Sequence, residues 1–163
     1  VPLFYYHIPP ITGVDLSMVE LLERGDALPT LAGIKFSAPQ FEELAACVEY
    51  GSRRYNILFG CDELLLSGLM AGVDGAVGST YNFMAPHYRR VIDAYQAGQI
   101  DEAQQQQAVA TARVDEIPQH GGHNAIKAAL GILGLDCAPP RLPWTPLSAD
   151  APSALKQGPT AEH

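Results

Sequence analysis

Positive charge is scarce in this sequence. Ten Lys and Arg stand against eighteen Asp and Glu over 163 residues, a formal net charge of −8. That balance disfavours a nucleic acid or an anionic membrane surface as partner, because both are held by clustered cations. An anionic small molecule stays open, since donors at short range outweigh a mean field. No apolar run approaches the roughly 20 residues that cross a bilayer, and no secretory leader is legible. Cysteine is as thin: Cys47, Cys61 and Cys137 are odd in number and far apart. They read as free thiols of a cytoplasmic protein rather than a disulfide frame. None stands at zinc-ligand spacing from a histidine, so no metal site is expected. Lysine occurs three times, and one of the three is oddly placed.

What the chain does have is apolar substance, 47% of its residues, enough for one domain with a core. Short apolar strands alternate with helical patterns four times. Leu3–Tyr6, Leu31–Phe36, Tyr55–Phe59 and Gly75–Gly78 are the expected strands. Ser17 is placed to cap a helix through Met18–Leu22, with Glu20 completing a capping box. Pro39 suits the first turn of a helix that carries Phe41, Leu44, Ala45 and Val48. Asp62 and Glu63 sit at the favourable positive end of a helix over Leu64–Ala71. Pro86 is expected to open a further helix that ends at Gly98, and Ile100–Ile117 and His123–Leu133 read as two more. Beyond Trp144 a short helix and a loose tail are expected. Four βα units predict a parallel sheet with covering helices, and near-continuous apolar strands fit a sheet buried on both faces.

In parallel α/β folds, functional groups collect where strands end and helices begin. Here the strand ends carry Tyr6 and His7, Lys35 and Ser37, Asp62 and Glu63, and Ser79 with Tyr81 and Asn82. Lys35 closes an apolar strand. Desolvation there disfavours the ammonium and favours the neutral amine, a nucleophile towards carbonyl carbon; equally, a strand-end lysine extends its head into water. Tyr6 is a phenol within reach of that amine or a core aromatic. Asp62 and Glu63 are ligands for hydroxyls or plain helix-start charges. Ser79–Asn82 is a binding loop or one that satisfies its own backbone. His7 is expected to pack or bond backbone.

Four segments decide between these readings. Tyr5-Tyr6-His7-Ile8-Pro9 with Thr12-Gly13-Val14, Gly33-Ile34-Lys35-Phe36-Ser37, Phe59-Gly60-Cys61-Asp62-Glu63 and Gly78-Ser79-Thr80-Tyr81-Asn82 occur in an order that resembles the N-acetylneuraminate lyase family. These are class I, Schiff-base-forming aldolases related to dihydrodipicolinate synthase. The resemblance covers about residues 1–145 and implies the C-terminal half of a (β/α)8 TIM barrel. It implies that Lys35 forms an imine with pyruvate or with the keto carbon of open-chain sialic acid, and that Tyr6 relays protons. It also implies that Ser37, Asp62, Glu63 and Ser79 bind sugar hydroxyls, and that backbone at Gly60 and Gly78 approaches the ligand. No cofactor is implied; the full enzyme is expected to be a homotetramer. The dihydrodipicolinate synthases usually carry an arginine soon after the tyrosine motif. Pro9-Pro10-Ile11-Thr12-Gly13 has none, which favours a sugar over a dicarboxylate. Other pyruvate-dependent aldolases stay open.

The expected organisation is four βα units over 1–98, a helical extension over 99–157 and a disordered tail over 158–163. A complete barrel takes about 250 residues. The chain also reads as strand from its first residues, so its start is expected to be cut, with the first half of the barrel absent. Two free sheet edges and a bare apolar face then follow. The chain alone is expected to be weak or silent in catalysis until a partner half supplies the rest.

Overall fold

The structure is a computed structural model that describes residues 1–142 together with Trp144 and Leu147. The helix and tail expected after Trp144 lie outside the described residues, apart from Leu147. The described chain divides into two compact units, Val1–Gly78 and Ser79 onwards.

The first unit is a four-stranded parallel sheet, β1 (Leu3–His7), β2 (Leu31–Phe36), β3 (Asn56–Phe59) and β4 (Gly75–Ala76), in sequence order. Four helices join them: α1 (Pro9–Thr12), α2 (Met18–Gly25), α3 (Phe41–Glu49) and α4 (Leu65–Met70). α2 begins as its sequence dictates, with the Ser17 hydroxyl accepting the Glu20 amide at 3.3 Å. Glu43 of α3 adds a second anchor, accepting the Met18 amide at 2.7 Å. α4 starts later than expected, because Asp62–Leu64 forms a separate 3-10 turn ahead of it. β3 and β4 are fastened by Asp74. Its carboxylate accepts the Ile57 amide at 2.7 Å while its own amide donates to the Ile57 carbonyl at 3.0 Å.

Register separates the two faces of this sheet. His7, Phe36, Phe59 and Ala76 form one row across all four strands, and Tyr5, Ile34 and Ile57 form another on the same side. Of these, Phe36, Phe59, Ile34 and Ile57 join Met18, Leu22, Leu44 and Val48 in the buried core, with Tyr5 packed against it. The adjacent row, Tyr6, Lys35, Leu58 and Gly75, points the other way by the period-two alternation of strands. There Tyr6 is exposed and Lys35 and Leu58 are half-buried. The expectation of a sheet buried on both faces is therefore corrected. Helices of this unit cover one face, and their apolar stripes match only the strand positions that point towards them.

The second unit holds three long helices, α5 (Tyr81–Gln96), α6 (Ile100–Glu116) and α7 (His123–Ile132), with α5 packed on α6 and α7. α6 buries Ala103 and Ala110, while the larger Val109 is exposed. α5 begins at Tyr81 rather than at Pro86, and its backbone breaks at Met84 (φ −122°). Among the described residues no helix is long and apolar enough to cross a membrane.

Candidate active site

The parallel pairing outlasts the strands by one residue. Ser37 donates its amide to the His7 carbonyl, Gly60 to Phe36 and Val77 to Phe59, each at 2.8 Å. The strand ends of β1 to β4 therefore lie along one rim, and the residues that follow them are held by ladder hydrogen bonds.

At that rim the amine of Lys35 lies over the ring of Tyr6, Nζ 4.1 Å from the ring centroid. The two residues are register partners on neighbouring strands. The face of the ring, not the hydroxyl, meets the amine. A cation on that face gains about 0.5–1 kcal/mol from the ring quadrupole at a partly exposed site. The enclosure expected of the lysine is looser than foreseen, since Lys35 is half-buried and Tyr6 exposed.

Gly60 explains how the stem of Lys35 fits. A Cβ at this position would stand 2.8 Å from Lys35 Cε and would collide with Ser37 Oγ. The bare glycine backbone is what allows the lysine stem and the serine hydroxyl to converge above β3. Ser37 is buried, and its hydroxyl has no hydrogen-bond partner. A buried hydroxyl without a partner costs about 1–3 kcal/mol, so a polar ligand atom arriving there is favoured.

Gly78 plays the same part for Asp62, whose carboxylate occupies the space that a Cβ at 78 would need. Asp62 is buried and Glu63 half-buried. Between Gly60 and Asp62, the Cys61 thiol is pushed up to about 11, first by burial and then by Glu63 and Asp62, with Lys35 opposing. It stays protonated at neutral pH and does not compete with the amine as nucleophile. His7 turns to the covered face, its ring 5.0 Å from that of Phe36. Burial lowers its pKa, against the opposing pull of Glu43 and Asp15. It packs, and it takes no part at the amine. Among the described residues no cluster of three or more His, Cys, Asp or Glu is arranged to hold a metal.

Ser79 opens the second unit and is exposed, its carbonyl accepting the Asn82 side-chain amide at 2.8 Å. Sequence reasoning gave no role to Thr80, within the Gly78–Asn82 segment, or to Tyr88, whose hydroxyls are 2.6 Å apart in a buried hydrogen bond. Pro86, set inside α5 rather than at its start, was the one signal that something other than helix bonds must hold this turn.

The model of the dihydrodipicolinate synthetase family matches residues 1–161. The chain belongs to that family. Among curated relatives, N-acetylneuraminate lyase of Sus scrofa is 36% identical over 146 residues, which cover 87% of this chain and 46% of that protein. The solved N-acetylneuraminate lyase of Proteus mirabilis superposes with a TM-score of 0.91 at 32% identity, over 98% of this chain and 54% of that one. A putative dihydrodipicolinate synthetase from Pseudomonas aeruginosa gives 0.82 at 26% identity, over 96% of this chain and 54% of that one. This family member thus spans about half the length of the curated relatives it matches. Its curated relatives are lyases by name, and its α/β fold with a four-stranded parallel sheet matches the solved structures.

Proposed function

We propose that this chain carries the Schiff-base half of an aldolase that cleaves N-acetylneuraminate into N-acetylmannosamine and pyruvate. The observation that carries the reading is the convergence of the Lys35 stem and the unpartnered Ser37 hydroxyl over Gly60, with the Lys35 amine on the Tyr6 ring. In this reading the Lys35 amine adds to the keto carbon of the open-chain sugar, and water leaves to give a protonated imine. Tyr6 relays the proton lost from the hydroxyl at the bond to be cut. The electron pair of the carbon–carbon bond then flows into the imine, and the aldehyde departs. The resulting enamine takes up a proton and is hydrolysed to pyruvate, which returns the amine. The ring face of Tyr6 accommodates a cation both before condensation, as ammonium, and after it, as iminium. Ser37, Asp62, Glu63 and Ser79 are assigned to the sugar hydroxyls, with backbone at Gly60 and Gly78 beside the ligand. Buried acceptors of this kind reject an analogue that lacks a hydroxyl. Ser79 is assigned on resemblance alone.

The (β/α)8 framing belongs to the same proposal, with the four strands as one half of a closed barrel. Leu3, Phe4 and Tyr6 are 47%, 40% and 46% exposed on the edge strand β1. That exposure also favours a second reading, in which the chain is catalytically silent until a complementing half covers the open face. Incubation with pyruvate and borohydride separates the two. An adduct on Lys35 in the chain alone supports the first. An adduct that forms only after a complementing half is added supports the second. No adduct under either condition rejects the Schiff base. A preference for a keto dicarboxylate over the sugar would redirect the assignment to a dihydrodipicolinate synthase-like enzyme.

A further inference from the structure

The first turn of α5 is joined to the rest of the helix by side chains. Asn82 donates its backbone amide to the Ser79 carbonyl at 3.4 Å, and Phe83 and Met84 donate theirs to Thr80 at 3.1 and 2.8 Å. The helical path then breaks at Met84, and Pro86 follows two residues on. Proline has no N–H to return to the preceding turn, so the usual i to i−4 ladder is interrupted there. Across the break reaches Tyr88, which is fully buried. Its hydroxyl meets Thr80 Oγ at 2.6 Å, and its ring stacks on Tyr81 with centroids 4.1 Å apart and planes 24° apart. In a straight helix residues 80 and 88 would stand about 12 Å apart along the axis. The bend at Met84 is what lets them touch. Thr80 occupies the N-cap position yet makes no side-chain cap bond; its hydroxyl is engaged with Tyr88.

We propose that Tyr88 is a positioning residue for Ser79, clamping the Ser79–Tyr81 turn through the Thr80 hydroxyl and the Tyr81 ring. The inference deepens the aldolase reading and rests on it for the role of Ser79; the clamp itself rests on the geometry alone. Tyr88 fixes the direction from which the Ser79 hydroxyl is offered, and loss of a contact made equally in the bound and transition states raises KM with kcat unchanged.

Two variants remove the hydrogen bond from opposite ends, Tyr88→Phe, which keeps the stacked ring, and Thr80→Val, which keeps the shape. Amide hydrogen exchange on the full chain is expected to accelerate about five- to tenfold at Phe83 and Met84 in each, with Val91 beyond the break unchanged. The double variant is expected to match either single one, because both remove the same bond. Thr80→Ser, which keeps a hydroxyl, restores the parental rates. In a preparation that cleaves N-acetylneuraminate, Tyr88→Phe is expected to raise KM for the sugar about three- to tenfold. Its kcat stays within about twofold, and trapping of pyruvate on Lys35 is unchanged. Unchanged exchange at Phe83 and Met84, or strictly additive effects in the double variant, overturns the clamp. An equal fall in kcat and in pyruvate trapping overturns the positioning role. Failure of the parental protein to trap pyruvate, both alone and with a complementing half, rejects the aldolase reading instead, and the exchange data still judge the clamp.

Discussion

Two rows of residues, one position apart on the same four strands, live in different surroundings. His7, Phe36 and Phe59 face the helices and are sealed from water; Tyr6, Lys35 and Leu58 face away from them and are not. The covered row is where folding free energy is gathered, through rings and branched chains packed at the density of a core. The open row holds an amine, a phenol and little that stabilises the unit. Backbone hydrogen bonds bind the two rows into one object, so the chemistry proposed for Lys35 and Tyr6 rests at fixed geometry on residues that contribute little to stability. That division predicts that substitutions on one face abolish reaction with little loss of stability, and that those on the other do the reverse.

The sharpest break is Lys35→Ala, expected to abolish the borohydride-trapped pyruvate adduct outright while shifting urea-unfolding stability by less than about 1 kcal/mol. Phe59→Ala on the covered row is its counterpart. It is expected to cost about 3–5 kcal/mol in the same urea titration, because Phe59 is 1% exposed and packs against Phe41 and Gly68. Gly60→Ala probes the seam between them. The added methyl meets Ser37 and the Lys35 stem, so about 1–3 kcal/mol of stability is expected to go, and adduct yield with it. An adduct yield at the parental level would show that the lysine stem yields freely, against the reading of Gly60 given above.

A smaller effect comes from His7. Burial holds its folded-state pKa below 6.5, so the unfolded chain binds the proton more readily. Stability is then full above about pH 6.5 and declines as the pH falls from there through the lower folded value. Urea midpoints between about pH 5.5 and 7.5 should show this slope, and His7→Leu should flatten it. Smallest is Tyr6→Phe, which keeps the ring face that meets the amine. Adduct yield is expected within about twofold of the parental value, whereas Tyr6→Leu removes the ring and about 0.5–1 kcal/mol of attraction. In a cleaving preparation Tyr6→Phe is nonetheless expected to slow carbon–carbon scission, since the proton relay is gone; an unaltered scission rate would remove Tyr6 from the mechanism.

Much of the fold was legible because its signals are local. Four apolar runs became four strands, Ser17 capped its helix, and the parallel order followed from the alternation. The same locality placed Lys35 and Tyr6 on neighbouring strands. What the amine meets on Tyr6 was not legible, because ring face against hydroxyl is decided by side-chain torsion across a strand pair. The clearance at Gly60 and Gly78 was hidden for a similar reason, since the atoms that need the room come from other segments. Pro86 was read as a helix start, whereas the turn before it forms through bonds to Thr80 and a partner eight positions on. Alanines 103 and 110 form the buried face of α6, because close helix approach favours small side chains over large ones.

The three amide bonds that outrun the strands, from Ser37, Gly60 and Val77, act as a common anchorage. Each tip beyond them is tied at its root. Side chains further along can be exchanged, lengthened or re-aimed without disturbing the lattice that points the amine. Under the proposed aldolase reading, a scaffold rooted in this way lends itself to new acceptor substrates by piecemeal replacement of its tips, while the step proposed at the amine stays the same.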